Sequence, residues 1–167
     1  TLNAYLSASV TPTSITGIET INAGANATAT LGLSNATGVE TVNLAGSTGA
    51  FTLSGVSKAV AVAIADSAVA HTVSYNDVTG AADSATISLA NLTGGNALTV
   101  AGVEALTVNS IGTANNAALT ATSAGYLTFT GAGDFTSSSL AGNGMIFVRS
   151  VDGSASTGDL TLVTGSQ

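Results

Sequence analysis

Gly38-Val39-Glu40-Thr41-Val42-Asn43 is the stretch that decides how this chain folds, because it comes back. It stands earlier as Gly17-Ile18-Glu19-Thr20-Ile21-Asn22 and later as Gly102-Val103-Glu104-Ala105-Leu106-Thr107-Val108-Asn109. The step from Gly17 to Gly38 sets a period, and the step from Gly38 to Gly102 is close to three more of the same length. Each copy places apolar residues at one spacing: Ile18, Ile21 and Ala23; Val39, Val42 and Leu44; Val103, Leu106 and Val108. One apolar residue leads in, and a short strand then sends alternate side chains inward. A unit of this length cannot bury its own apolar face, so it must stack on its neighbours. Stacking at ~4.8 Å per coil predicts about eight coils and a rod roughly 40 Å long. Glycine opens each copy because the chain turns a corner there at little steric cost.

Working outward, Gly80 falls near one of the missing repeat marks, and Gly55-Val56-Ser57-Lys58-Ala59-Val60-Ala61-Val62 is a looser copy. Helix formers such as Glu, Lys, Gln and Arg are scarce. Short apolar or alternating runs bounded by Gly, Asn and Ser predict strands instead. These are Thr28 to Leu33, Thr41 to Leu44, Phe51 to Leu53, Val60 to Ile64, Val73 to Tyr75 and Thr86 to Leu89. Further along come Leu98 to Val100, Leu106 to Val108, Leu127 to Phe129, Met145 to Val148 and Leu160 to Val163. The expected fold is all-β: a right-handed parallel β-helix or β-roll solenoid of about 21-residue coils, with an antiparallel β-sandwich as the alternative. A leucine-rich repeat shares the apolar spacing but needs an Asn ladder three residues beyond the last apolar position. That place holds Asn26, Ser47 and Ile111, so the ladder is broken. Residues 1–167 read as a single repeat-built β domain. The opening Thr1-Leu2-Asn3-Ala4 lacks a basic export signal and an initiator Met, and is expected to belong to a piece of a larger surface protein.

Composition narrows the function. Of the 167 residues, 45% are hydrophobic and only 7% charged, against roughly 25% in ordinary soluble domains. Mean hydropathy is +0.49, so there is ample material for a core and global disorder is excluded. Lys58 and Arg149 face nine acidic residues, for a net charge of -7. Two cations cannot neutralise a run of phosphates, which argues against nucleic acid and against an anionic lipid surface. The most apolar run, Ala59 to Ala65, is far short of the ~20 residues a bilayer-spanning helix needs, so no membrane insertion is expected. Cysteine is absent, which removes disulfides and zinc–thiolate sites. An acidic surface suits calcium, a hard cation that takes oxygen ligands.

The Gly-Val-Glu-Thr-Val-Asn phrase, the Ala/Thr/Ser/Asn/Gly bias, the missing cysteine and the single Pro12 together resemble the S-layer proteins of Gram-negative bacteria. Those are type I secreted and related to the repeat-in-toxin proteins. The resemblance implies an extracellular protein that tiles the bacterial cell surface as a lattice. It implies calcium between subunits and lipopolysaccharide, or another surface glycan, as anchor. The group's Gly-Gly-x-Gly-x-Asp nonapeptide is absent, and Gly131-Ala132-Gly133-Asp134 is a fragment of it.

Several residues invite chemistry. Asp134, Asp152 and Asp159 lie in Gly- and Ser-rich stretches predicted to be turns, where Asp bonds its own backbone or, with other oxygens, ligates calcium. Glu19 and Glu40 hold the same repeat position, so stacked coils bring them close. The first reading is a solvated corner, and the second a shared divalent cation. His71, the one histidine, sits in a strand-like stretch with no Gly-x-Ser-x-Gly elbow, and is expected to be structural. Thr-x-Thr pairs of the kind that bind ice on a flat β-helix face occur at Thr28, Thr120 and Thr128. They do not recur at a fixed repeat position in the sequence. The expected function is a self-associating surface-layer component and not an enzyme. A glycan-binding stalk of an adhesin is the alternative, and a polysaccharide-active β-helix enzyme comes third.

Overall fold

A computed structural model of the protein describes residues 1–138 and 148–163. These form fifteen strands and no helix. They are β1 (Leu2–Leu6), β2 (Thr20–Ala25), β3 (Ala29–Gly32), β4 (Thr41–Ala45), β5 (Phe51–Ser57), β6 (Ala61–Ala65), β7 (His71–Asn76) and β8 (Ser84–Ala90). Then follow β9 (Asn96–Ala101), β10 (Ala105–Ile111), β11 (Ala114–Ala121), β12 (Tyr126–Gly131), β13 (Asp134–Ser137), β14 (Ser150–Ser156) and β15 (Leu160–Leu162). The even-numbered strands and β1 make one eight-stranded sheet, and the odd-numbered strands from β3 to β15 make a seven-stranded sheet. Pairing is parallel throughout, each strand bonding to the strand one turn earlier and one turn later. The molecule is therefore a β-solenoid of about seven turns. The sandwich is excluded, since its sheets would be antiparallel.

Alternation explains the core. In β4, Val42 and Leu44 are buried while Thr41 and Asn43 face outward, and strands such as β6, β7, β8 and β10 repeat this. Register then stacks like on like: Ile21, Val42, Val62, Ile87, Val108 and Phe129 form one interior column. Across the interior runs Ala29, Phe51, His71, Leu98 and Leu119. Near the C-terminal end Phe129 and Phe135 close the gap between sheets, with ring centroids 5.3 Å apart. Each buried Leu, Ile, Val or Phe contributes about 1.5–3 kcal/mol of transfer free energy. None of the short strands could keep that burial in isolation.

The corners follow from backbone geometry. Gly17, Gly38 and Gly102, which open the three copies, all have positive φ (69°, 78° and 106°). A second corner follows β4, β6, β8 and β10. Its residues, Gly46, Asp66, Asn91 and Gly112, are all left-handed, and Asn and Asp are the non-glycine residues that best tolerate this. The Asn91 amide also donates to Asp66 Oδ1 at 3.0 Å, so this corner is tied between coils.

The predicted period holds in part. Ile21 pairs with Val42, Ile87 with Val108 and Val108 with Phe129, each one regular period on. Val62, however, pairs with Ile87, and His71 with Leu98, and both steps are longer than the period. The extra residues form the connection between Asn76 and Ser84, with Asp77 and Gly80 at positive φ. The looser copy at Gly55 also differs from its expected role. Gly55 is not the corner before β6 but an irregularity inside β5, where pairing with β7 skips from Ser54 to Val56. The predicted strand from Met145 lies outside the described residues, apart from Val148.

Candidate functional site

The carboxylates flagged in the sequence sort into two stacked pairs and one single residue. Glu19 and Glu40 stand at the corner before β2 and β4. The Glu40 amide donates to the Glu19 carbonyl at 2.8 Å, which places one directly over the other, and both side chains are exposed. Asp134 and Asp159 form the second pair, at the corner leading into β13 and β15. Asp134 Oδ1 accepts the Asp159 amide at 2.9 Å, and the Phe135 amide donates to the Asp159 carbonyl. Asp152 is in neither pair and is not in a turn. It lies within β14 on the opposite sheet, where pairing skips from Thr128–Asp152 to Thr130–Ala155. The extra residue on β14 makes a bulge. Asp152 Oδ1 accepts the Ser154 amide across it at 2.9 Å, and this bond holds the carboxyl below the usual carboxylate range. Among the described residues no three His, Asp or Glu side chains converge as a metal site.

A third stacked pair was hidden from the sequence reading. Asp83 occupies the corner beneath Glu104: the Glu104 amide donates to the Asp83 carbonyl, and Glu104 Oε2 accepts the Asp83 amide, both at 3.0 Å. Unlike the other pairs this one is covered. Asp83 is 7% exposed and bonds Lys58 Nζ at 2.5 Å through Oδ1, leaving Oδ2 buried without a partner. Bonding to Asp83, against a smaller desolvation effect, raises the Lys58 pKa, with Asp77 and Glu104 adding to the field. The signal was present, since Asp83 precedes Glu104 by the same step that separates Glu19 from Glu40.

His71 belongs to the interior. It is 2% exposed, in the column between Phe51 and Leu98, and Nε2 meets Ser67 Oγ at 2.7 Å. Burial pushes its pKa down to about 4. Nδ1, the nitrogen an orienting acid would hold in a catalytic triad, has no partner. Asn115 is also interior. Its amide donates to the Leu89 and Ile111 carbonyls and to Ser110 Oγ, and its oxygen accepts the Leu92 amide.

The outer faces carry the polar residues in straight files. Asn3, Asn22 and Asn43 stack on the eight-stranded sheet, with Asn22 donating to Asn3 at 2.8 Å and Asn43 to Asn22 at 2.9 Å. Farther along the same file Asn109 donates to Ser88 Oγ and accepts from Thr130 Oγ1. The asparagine ladder missing at Asn26, Ser47 and Ile111 thus exists at the last residue of the phrase, outside and not inside. On the seven-stranded sheet Thr30, Thr52, Thr72, Thr99 and Thr120 form one column over five successive coils. The spacing of this column is irregular in sequence because the coils differ in length. The Thr-x-Thr pairs themselves share no one position: Thr30 ends its pair, Thr120 begins its pair, and Thr128 lies in β12 on the other sheet.

No protein-family model matches the chain, and neither a curated protein nor a solved structure matches it significantly.

Proposed function

We propose that this chain is a structural segment of a bacterial surface layer, working outside the cell by lateral self-association and anchored through lipopolysaccharide or another surface glycan. The observation that carries the reading is the pair of outer faces. Uncharged Thr, Asn, Ser and Ala side chains repeat there in register from coil to coil. The buried ionisable groups His71, Tyr75 and Asp83 are meanwhile turned away from solvent. A periodic, nearly charge-free face suits contact with another copy of itself. It offers little to a substrate that must be polarised or protonated. Calcium enters at the exposed pairs Glu19/Glu40 and Asp134/Asp159. Each supplies two carboxylates, and a neighbouring copy would complete the six to eight oxygens the ion prefers. Sedimentation velocity in rising calcium tests this. Growth from monomer to large, chelator-reversible assemblies supports the reading, and a monomer at every calcium concentration counts against it.

The threonine column favours a second reading, contact with ordered water or ice. Inhibition of ice recrystallisation that disappears in Thr72→Lys would support it. Activity equal to that of an unrelated protein would exclude it.

A further inference from the structure

We infer that the outer face of the first three coils is a binding site for an uncharged oligosaccharide, built on the ring of Tyr5 and the amide ladder beside it. The inference deepens the surface-glycan part of that proposal and rests on it, adding Tyr5 to the outer-face Asn file.

Tyr5 projects outward from β1 and is 61% exposed, yet its ring is fixed. Its hydroxyl donates to the Gly46 carbonyl at 3.2 Å, two coils away, so the ring lies along the solenoid axis and not out into water. The strand beneath is shaped for it. Gly24, opposite Tyr5 in the register, is an interior residue of β2. A Cβ there would meet Tyr5 Cε2 at 2.9 Å and the Ala45 carbonyl at 2.6 Å. Glycine in mid-strand weakens a sheet unless something must approach closely, and here an aromatic ring does. The result is a ring with one face seated on backbone and the other open.

Two residues before Tyr5 runs the Asn3–Asn22–Asn43 file, sharing a shallow depression with the ring. Each amide offers both donor and acceptor atoms, and the ladder bonds use one of each between neighbours. Asn3 and Asn22 are exposed and Asn43 half-buried, so amide hydrogens and lone pairs outside the ladder bonds recur at the ~4.8 Å coil spacing. No charged residue lines the depression. An immobile aromatic face beside a row of neutral amides matches a pyranose, whose C–H face packs on a ring while its hydroxyls bond to amides. A charged ligand would find no counter-ion. Preorganisation spares the ordering cost, but with one ring the affinity for a single chain end is on the order of millimolar.

The test is an NMR titration with a neutral β-glucan hexasaccharide, a neutral α-glucan hexasaccharide and an oligogalacturonate as anionic comparator. Saturable binding of a neutral oligosaccharide, with shifts at the Asn3, Asn22 and Asn43 side-chain amides, is expected. Tyr5→Ala should weaken it about tenfold or more, with the melting temperature showing that the solenoid stays folded. Gly24→Ala, which lifts the ring, should also weaken it. Tyr126→Ala, removing another exposed tyrosine (53% exposed), should leave it unchanged. Absence of saturation by either neutral sugar at tens of millimolar would overturn the inference, and so would preference for the anionic oligomer or full binding by Tyr5→Ala. Lattice assembly by Tyr5→Ala separates this outcome from failure of the surface-layer reading.

Discussion

Two neighbouring parts of the solenoid, residues 20–57 and residues 58–101, obey the repeat differently. In the first, the coils keep nearly one length, with Ile21 under Val42 and Ala29 under Phe51. The carboxylates Glu19 and Glu40 stack in the open at its corner. In the second, the turn from β7 to β8 carries extra residues, and the interior changes character. Among the described residues, the buried side-chain atoms without a hydrogen-bond partner are His71 Nδ1, Tyr75 Oη and Asp83 Oδ2, all within this widened coil. A strict coil satisfies its polar backbone through the ladder and can fill its interior with Leu, Ile and Val. A widened coil folds extra chain over its own corner and takes polar groups inside, where each costs free energy unless paired.

Four experiments can break or sharpen that contrast. The largest effect belongs to the strict region. Leu44 is fully buried between Ala23 and Ile64, so Leu44→Ala should lose about 2–5 kcal/mol in denaturant melts. Next is a pH effect confined to the widened coil. His71 titrates near its ordinary value of 6.5 when unfolded and at about 4 when folded. Above pH 6.5 both states are neutral and stability is level. Between 6.5 and 4 the unfolded chain takes a proton that the folded core refuses. Stability should therefore fall with pH over that window, by up to about 3 kcal/mol. His71→Leu should flatten this slope, and a slope unchanged by the substitution would refute the assignment.

The third effect is an asymmetry. Lys58→Met leaves the buried Asp83 carboxylate without its cation, whereas Asp83→Ala merely returns a half-exposed lysine to water. Thermal melts should therefore place Lys58→Met clearly below Asp83→Ala. The reverse order would mean that the pair is not buried as described. Smallest is Glu40→Gln, which should shift stability by less than about 0.5 kcal/mol without calcium. It should also reduce any stabilisation that calcium adds to the folded state.

How much of this was legible in the sequence depends on which residues are asked about. Glu19 and Glu40, Val42 and Leu44 were readable because their coils keep a constant length, so sequence spacing and spatial register coincide. The strand expected over Val60 to Ile64 is present as β6, Ala61–Ala65. Asp83 was missed because it stands outside any Gly-Val-Glu copy, although it precedes Glu104 by one period, and because Lys58 reaches it from the coil before. Asn115 gave no local sign of its interior role. Its amide bonds to the Leu89 and Ile111 carbonyls join two coils inside the solenoid, which no local pattern reports. The Thr30-to-Thr120 column was invisible for a simpler reason. The steps from Thr30 to Thr52, Thr72, Thr99 and Thr120 are unequal and make no period, although the ladder makes them one line. Strands β1 and β13 were not read from the sequence, nor were β11 and β14, which are rich in Asn, Ala and Ser and lack the apolar runs that announced most others.

The central claim is that this solenoid serves as a lateral building unit. Electron microscopy of the purified protein, incubated with calcium, tests it most directly. The account predicts ordered two-dimensional sheets that dissolve when calcium is chelated. Monomers or amorphous material under every condition would contradict it.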